Sequence, residues 1–276
     1  MPAQTPTSSS DTAERAAITE AVTPTAIDVL GIPLALIDYD RTMDWIDATV
    51  AAEGHGYVCV AAVHTVMACR EDPELRSAVL ASSLTVPDGQ PLVWAMNALG
   101  HDLSNRVYGP ELMARYCERA ALTGARLFLY GGRNQGALVQ LALNLRTRYP
   151  GLRIVGGYSP PFRPLTEEES EAVTGEIHRS QADFVWVGIG VPKQEKWMAA
   201  MRGRLMAPVL VGVGAAFDFH AGLVPQAPDW MQSLGLEWVY RLYREPRRLW
   251  RRYLRYNPRF MAGFLGQWLH HRLRHG

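Results

Sequence analysis

Short apolar segments that end in glycine or a polar loop alternate with amphipathic helical segments over most of this chain. The segments FVWVGIG and VLVGVG are apolar at consecutive positions rather than at every second one. A strand of that kind buries both of its faces, as strands do in a parallel sheet that is covered by helices on both sides. The alternation therefore predicts an α/β fold with a Rossmann-like, mostly parallel sheet and right-handed crossovers.

The order of these segments predicts the organisation of the chain. The composition of residues 1–25, rich in Ser, Thr, Ala and Pro, predicts a disordered leader. We expect an α/β domain over residues 26–240 and a basic helical appendage over residues 241–276. Thr166 and Glu169 form a capping box, so the acidic run at 167–169 is interpreted as a helix N-terminus rather than a site. The strand candidates are residues 27–37 (interrupted by Gly31), 57–63, 84–86, 126–130, 152–156, 182–187 and 208–213. The helix candidates are residues 41–53, 73–82, 91–99, 110–122, 134–149, 167–180 and 192–204.

The positive charge of the chain is concentrated at its C-terminal end. From residue 241 onward there are ten arginines and one glutamate, whereas the first 240 residues hold 18 basic and 26 acidic side chains. Arginines interleaved with Trp and aliphatic residues suit an anionic membrane surface. Two alternatives stay open, a solvated helix packed on the body and a nucleic-acid-binding stripe, although the acidic body and the lack of a recognition motif count against nucleic acid. Pro246 and Pro258 predict that this segment is broken into two or three helices.

Several classes of protein are disfavoured by the composition. No stretch approaches the 18 uncharged apolar residues of a transmembrane helix, and the first residues do not form a secretory signal. Cys59, Cys69 and Cys117 are odd in number and have no metal-ligand spacing, which fits reduced cytosolic thiols. We therefore expect a cytoplasmic protein.

Loops at the predicted strand ends carry the candidate chemistry, because sites in such sheets collect at the carboxyl ends of the strands. Asp88 follows one strand in TVPDGQP, either as a carboxylate free to take a proton or as part of an ordinary β-turn. Gly131, Gly132 and Gly190 lie between strands and helices, where glycines let the backbone approach a phosphate or simply make a tight turn. Asp218 follows the last strand and either binds a sugar or ribose hydroxyl or caps a neighbouring helix.

The sequence Asp38-Tyr39-Asp40 looks like the metal-binding DxD of many nucleotide-sugar transferases. Asp40 also stands where a helix that begins near Arg41 would have its cap. No cluster of His, Cys, Asp or Glu elsewhere in the sequence supports a metal. We therefore interpret this motif as structural and predict no metal site.

Eight motifs follow one another over roughly residues 28–260. They are PDGQPLVW, NRVYGPELM, LFLYGG, YPGLRIVGGYSPPF, VGIGVPKQEKW, GVGAAFDFHAG, APDWMQSLGLEWVYRLYREPRRLWRRY and NPRF. In this order they resemble the WecG/TagA/CpsF family of glycosyltransferases (glycosyltransferase family 26). The family fold is a Rossmann-type α/β domain with a C-terminal appendage.

The resemblance implies an activity and its partners. Family members are bacterial enzymes that transfer a sugar from a UDP-sugar donor to a saccharide on an undecaprenyl-type diphosphate, peripherally at the cytoplasmic face of the membrane. Known donors carry N-acetylmannosamine, its uronic acid or glucose. The enzymes invert the anomeric centre and are not thought to need a metal, so no cofactor is expected. A homo-oligomer is compatible with the sequence, which does not determine the assembly.

The resemblance also implies roles for individual residues. The Asp of the family's DG motif falls on Asp88, which would be the general base, while Arg106 and Gln194 are expected to contact the donor or its diphosphate. With no metal, backbone N–H groups near Gly132 or Gly190 would help to meet the charge of the leaving diphosphate. The appendage is expected to close over the site and to meet the acceptor diphosphate and the membrane with arginines. The candidates are Arg241, Arg244, Arg247, Arg248, Arg251 and Arg252.

The chain departs from the family pattern at one place. Members usually carry Thr-x-Asn at the end of the second strand of the domain, where this sequence has Val60-Ala61-Ala62. Both polar side chains are lost, which puts the usual sugar specificity in question. His64 follows, either reaching into the same space or standing at a helix start without a role. A non-catalytic nucleotide-sugar-binding or membrane-scaffold protein of the same fold is therefore the alternative hypothesis.

Overall fold

A six-stranded parallel sheet forms the centre of the computed structural model, which describes residues 24–275. Residues 1–23 of the predicted leader lie outside the described residues. The strand order in the sheet is β4-β3-β8-β7-β5-β6. The strands are β1 (Ala26–Val29), β2 (Ile32–Ala35), β3 (Gly56–Ala61), β4 (Leu84–Pro87), β5 (Arg126–Gly131), β6 (Arg153–Tyr158), β7 (Phe184–Gly188) and β8 (Val209–Gly212).

Helices cover both faces of this sheet. On one face α1, α5, α6 and α9 enclose a hydrophobic core, and on the other α2, α3, α4, α7 and α8 enclose a second core, which α12 also joins. The helices are α1 (Tyr39–Ala51), α2 (Val63–Cys69), α3 (Pro73–Leu80), α4 (Gln90–Ala98), α5 (Gly109–Thr123), α6 (Gln135–Arg148), α7 (Glu167–Ser180), α8 (Lys193–Met201), α9 (Ala216–His220), α10 (Asp229–Ser233), α11 (Glu237–Arg244) and α12 (Pro246–His275).

Strand β7 shows why consecutive apolar residues were needed. Phe184 and Trp186 point into one core, whereas Val185 and Val187 point into the other, and all four are fully buried. Successive side chains of a strand face opposite sides of the sheet, so a strand that is covered by helices on both sides is apolar at every position. The predicted Rossmann-like α/β class is confirmed, and so is the capping box of Thr166 and Glu169 at the start of α7.

The first predicted strand is wrong in form. Residues 27–37 do not make one strand of the central sheet but a separate antiparallel hairpin of β1 and β2. Leu30 and Gly31 turn the chain with φ values of +55° and +86°, and the Asp28 carboxylate accepts a hydrogen bond from the Gly31 N–H at 3.0 Å. Glycine adopts this left-handed conformation at little cost, so it reverses the chain here.

The prediction that Pro258 breaks the C-terminal segment is also wrong. Pro246 begins α12, as proline often does, but Pro258 lies inside the continuous helix. Contacts to the body lie on either side of this proline: Glu71, which follows α2, pairs with Arg255 and Arg259 at 2.9 and 2.7 Å. Residue 241, where the sequence analysis begins the appendage, lies within α11.

Candidate functional site

The loop that follows β4 holds Asp88 at the carboxyl edge of the sheet. The Asp88 N–H donates to the carbonyl of Ala61 at the end of the neighbouring strand β3, at 2.8 Å. The segment before α5 returns to the same place, because the Val107 N–H donates to the Pro87 carbonyl at 2.8 Å. Two strand ends and a returning loop therefore fix the backbone around Asp88.

The Asp88 carboxylate is recessed but only partly buried, and it is held by one hydrogen bond. The Gly109 N–H at the start of α5 donates to its Oδ1 at 3.2 Å, while Oδ2 makes no hydrogen bond to the described residues. Burial raises the pKa of Asp88 to about 6; the nearby Arg106 limits this rise and Glu237 adds to it. A carboxylate in this state is ionised at neutral pH and basic enough to accept a proton.

Arg106 and Glu237 form a buried ion pair beside Asp88. The Arg106 Nη2 lies 2.9 Å from the Glu237 Oε2, and the guanidinium stacks on the Tyr108 ring at 4.3 Å. Burial alone would lower the pKa of Arg106, but the carboxylates of Asp88 and Glu237 outweigh it and raise that pKa. Glu237 is 7% exposed and is the first residue of α11, so this pair joins the segment before α5 to the helix that leads into the appendage.

Tyrosines complete the wall behind Arg106. The Tyr39 hydroxyl accepts a hydrogen bond from the Tyr108 N–H at 3.0 Å, and burial raises the pKa of Tyr39 to about 12. Burial, reinforced by Glu237, also raises the pKa of Tyr108. Both phenols therefore stay neutral at physiological pH; Tyr39 acts through its hydrogen bond, and Tyr108 through stacking on Arg106.

The Asp38-Tyr39-Asp40 motif is explained by the helix that it begins. The Asp38 carboxylate accepts from the Arg41 N–H at 2.9 Å and caps α1, so the cap is Asp38 and not Asp40 as the sequence suggested. Asp40 is exposed in the first turn, where a negative charge favours the helix. Among residues 24–275, no three His, Cys, Asp or Glu side chains are grouped to hold a metal ion.

The glycine loops after β5, β7 and β8 lie against one another. A Cβ on Gly131, where φ is +140°, would stand 2.5 Å from the carbonyl oxygen of Gly188. A Cβ on Gly188 would stand 2.4 Å from the Phe217 ring of α9. These glycines are therefore required for three loops to meet, and the Val213–Gly109 contact links them to the Asp88 loop.

The N–H groups of Gly132 and Gly190 are already used within the protein. The Gly132 N–H donates to the Gly188 carbonyl at 3.1 Å, and the Gly190 N–H donates to the Gln194 Oε1 at 3.2 Å. Gly132 and Gly190 therefore provide room for close approach rather than free donors. The prediction that N–H groups near them meet a diphosphate rests on the neighbouring residues of the loops.

Gln194 lies below the loop rather than at an open surface. It is 2% exposed, and its amide donates to the Glu195 carboxylate at 2.9 Å. Burial raises the pKa of Glu195 to about 7. Together, Gln194 and Glu195 hold the Gly190 turn in its shape.

Asp218 neither caps a helix nor stands free. It forms two hydrogen bonds with Arg133, at 3.0 and 3.1 Å, across the glycine loops. The Arg241 guanidinium of α11 lies 5.7 Å from the centre of the adjacent Phe219 ring, and its charge also lowers the pKa of Asp88. Arg241 therefore stands between the Asp88 loop and the Arg133–Asp218 pair.

The candidate arginines of the appendage fall into two groups. Arg241 and Arg252 are partly buried and lie near His64, whose pKa is held well below its usual value, first by burial and then by these two cations. The imidazole is therefore neutral. The remaining described candidates, Arg244, Arg247 and Arg251, are exposed, and the side chain of Arg248 lies outside the described part of the chain.

The structure thus brings Asp88, Arg106 and Arg241 close together at the carboxyl edge of the sheet, next to the glycine loops. Glu237 and Tyr108 belong to the same cluster, and neither was predicted from the sequence to have a role. The only sequence signal for Glu237 is a single carboxylate just before a strongly cationic segment. The cluster joins a proton acceptor to several cations at the edge of a parallel sheet, which suits a reaction that removes a proton and expels an anion.

Comparison with protein families gives one match over nearly the whole described chain. The model of the glycosyl transferase WecG/TagA/CpsF family matches residues 27–274. The match includes the strands beside the Asp88 cluster, α11 with Glu237 and Arg241, and α12 almost to its end.

Proposed function

The chain belongs to the WecG/TagA/CpsF family of glycosyl transferases, and we propose that it transfers a sugar from a UDP-sugar to a saccharide on an undecaprenyl-type diphosphate. Family membership places it among the glycosyltransferases of cell-surface polysaccharide synthesis. The donor, the acceptor and the mechanism are our proposal. The observation that carries it is Asp88, a partly exposed carboxylate with a raised pKa at the carboxyl edge of the sheet.

In this proposal Asp88 is the general base. Its Oδ2 takes the proton of an acceptor sugar hydroxyl while the hydroxyl oxygen attacks the anomeric carbon of the donor. The bond from that carbon to the diphosphate oxygen breaks at the same time, and UDP leaves with the bonding electron pair. A single displacement from the opposite face inverts the anomeric centre.

Guanidinium groups meet the negative charge that develops on the leaving diphosphate. Arg106 is fixed by Glu237 and Tyr108, and Arg241 lies close enough to affect the charge of Asp88. Arginine binds diphosphate oxygens in a bidentate manner, so these two guanidiniums can stabilise the transition state without a metal in this mechanism. Because Glu237 and Arg241 belong to α11, the site is complete only when the appendage is docked.

The alternative is a nucleotide-sugar-binding member of the family that lacks catalysis. It is favoured by Val60-Ala61-Ala62, where the usual Thr-x-Asn side chains are absent; Val60 and Ala61 are buried, and Ala62 starts α2 without a side-chain cap. The two hypotheses differ in turnover and not in nucleotide binding.

An assay of UDP release separates the two. The purified full chain is given a panel of UDP-sugars with and without a short-chain polyprenyl diphosphate that carries a saccharide. We expect acceptor-dependent UDP release by the wild type and by Asp40→Asn, and its loss in Asp88→Asn. Asp40 is a matched control because it is an exposed acid in the first turn of α1. Nucleotide binding without release in all three proteins would favour the non-catalytic alternative.

We further propose that α12 attaches the protein to the membrane surface. Within the described residues, no helix has both the length and the apolar character that spanning a bilayer demands. The outer side of α12 exposes Trp250, Leu254, Met261, Leu265 and Leu269, with the exposed Arg247, Arg251 and Arg272 among them. An amphipathic helix of this composition lies in the interface of an anionic membrane.

Co-sedimentation with vesicles tests this attachment. Leu254 and Leu265 are 67% and 55% exposed, so Leu254→Gln with Leu265→Gln should weaken binding to phosphatidylglycerol vesicles and leave the fold intact. Leu122→Gln is the matched control, because Leu122 is 86% exposed on α5. Equal vesicle binding by both variants and the wild type would contradict attachment through α12.

A further inference from the structure

A cleft lies apart from the candidate active site around Asp88. It has a volume of about 530 Å³ and is lined by Leu30, Gly31, Cys69, Arg70, Pro73 and Arg76. Helix α2 begins at the carboxyl edge of the sheet and Cys69 is its last residue, seven residues along. At about 1.5 Å per helical residue, this places the cleft about 10 Å from the edge that carries Asp88.

Two guanidinium groups converge on this cleft. The Arg76 Nη1 lies 3.1 Å from the position that a Cβ on Gly31 would occupy. The Arg70 Nη1 lies 3.4 Å from the corresponding Cβ position of Gly263 in α12. A side chain at either glycine would crowd these groups, so the glycines leave the guanidiniums accessible from the cleft.

The charges of Arg70 and Arg76 are not neutralised by the acidic residues around them. Within residues 24–275 neither guanidinium forms an ion pair or a side-chain hydrogen bond. The neighbouring carboxylates have other cationic partners: Glu71 binds Arg255 and Arg259, and Asp72 and Glu74 both bind Lys196 at 2.9 and 2.6 Å.

Asp28 is the acidic residue of the hairpin. Its Oδ1 accepts from the Gly31 N–H at 3.0 Å, and its carbonyl accepts from the Gln267 amide of α12 at 2.7 Å. Asp28 therefore fixes the hairpin turn and its docking on α12, and within the described residues it forms no ion pair with Arg70 or Arg76.

We propose that this cleft binds the phosphate group of a phosphate ester. Two guanidiniums that lack partners suit bidentate contacts to phosphate oxygens, while Leu30 and Pro73 supply an apolar rim for the esterified group. The bound phosphate would bridge the hairpin, α2, α3 and, through Arg70, α12. The ligand therefore stabilises docking of the appendage and does not take part in glycosyl transfer. Its source is either a lipid headgroup or a soluble phosphate ester.

Thermal unfolding with inorganic phosphate tests the site. Phosphate stabilises proteins in general, so the readout is the difference between variants and not the shift of one protein. At ten times the dissociation constant, site binding should raise the wild-type Tm by about 3–6 °C beyond that general effect. The double variant Arg70→Gln with Arg76→Gln should lose this additional rise in Tm. Arg148→Gln with Arg179→Gln, exposed arginines on α6 and α7, should keep it.

A lysine pair distinguishes a built site from diffuse attraction. Arg70→Lys with Arg76→Lys keeps the charge but loses the planar fork, so it should also lose most of the phosphate-specific shift. If the glutamine pair does not fold, the lysine pair carries the test. A full shift in the lysine pair, or equal shifts in the wild type and the glutamine pair, would overturn the proposal.

Binding to vesicles identifies the source of the phosphate. The vesicles consist of phosphatidylcholine with phosphatidylglycerol. If the double variant at Arg70 and Arg76 loses more vesicle binding than the double variant at Arg148 and Arg179, the ligand is a lipid headgroup. Unchanged vesicle binding together with a lost phosphate shift supports the site with a soluble phosphate ester as its ligand.

Discussion

Replacing Asp88 with asparagine should make the protein more stable while it removes turnover. Asparagine has nearly the same shape and keeps an oxygen that accepts from the Gly109 N–H, which lies 3.2 Å from Asp88 Oδ1. It removes the negative charge that burial penalises and, with it, the group that accepts the proton. The free energy of unfolding should therefore rise and the turnover fall, because both depend on the negative charge of the same carboxylate.

The size of the stability effect follows from the pKa of Asp88. The pKa rises from 3.8 to about 6, chiefly through burial. At about 1.4 kcal/mol per pKa unit, ionised Asp88 destabilises the folded state by up to about 3 kcal/mol at neutral pH. The folded state binds this proton more tightly than the unfolded state does. The penalty is therefore absent below pH 3.8, grows between pH 3.8 and 6, and is constant above.

Urea unfolding at two pH values, together with the UDP-release assay, measures both effects. At pH 7 we expect Asp88→Asn to be more stable than the wild type by about 1–3 kcal/mol, with the difference nearly lost at pH 4. Its turnover should fall by about 10²–10⁴. A variant that is less stable at pH 7, or equally changed at both pH values, would refute the desolvation argument. Near-normal turnover would remove Asp88 from the role of base.

Other expected outcomes follow from the same contacts. The wild-type kcat/KM should fall below about pH 6, the pKa of Asp88, because the protonated base is inactive; a profile flat to pH 5 would contradict this. Arg106→Gln should lower the free energy of unfolding in urea by about 3 kcal/mol, because it leaves Glu237 buried without its partner. Adding Glu237→Gln to the same chain should restore part of this loss, and additive losses would argue against the ion pair. Gly131→Ala should lower the free energy of thermal unfolding by more than about 2 kcal/mol, because its Cβ would lie 2.5 Å from a backbone carbonyl oxygen. Gly175→Ala is the control, because its Cβ would have nothing within 4 Å. Similar stabilities of the two variants would refute the close packing of the loops.

The central sheet could be predicted because its cause is local in the sequence. Strand β7 must be apolar at every position to be buried on both faces, and FVWVG shows this directly. The hairpin could not be separated from a strand so easily. Its apolar residues continue through the turn at Leu30 and Gly31, and only the left-handed backbone there reverses the chain.

Pro258 shows how tertiary contacts override a local rule. A proline within a helix removes one backbone hydrogen bond and usually ends or kinks the helix. In α12 the helix continues past Pro258, and contacts with the body hold it on both sides: Arg255 pairs with Glu71, Phe260 is buried, and Gln267 is hydrogen-bonded to the hairpin. The partners of Arg255 and Gln267 lie more than 180 residues away in sequence.

The candidate site was predicted only as far as single residues reveal their chemistry. Asp88 at a strand end and Arg106 in the segment before α5 lie close enough for each to affect the pKa of the other, while their roles stay predictions. Glu237 pairs with Arg106 across a separation of 131 residues, which no spacing rule reports. The use of the Gly132 and Gly190 N–H groups inside the loops likewise depends on distances that only the fold sets.

The product of the reaction tests the account most directly. The full chain is incubated with UDP-sugars and a polyprenyl diphosphate saccharide, and the lipid product is analysed by mass spectrometry and its new linkage by NMR. Proton removal by Asp88 and direct displacement of UDP predict a product one sugar longer, with an inverted anomeric centre and one UDP released per transfer. A product with the donor's own anomeric configuration, or UDP release that does not need the acceptor, would contradict the mechanism.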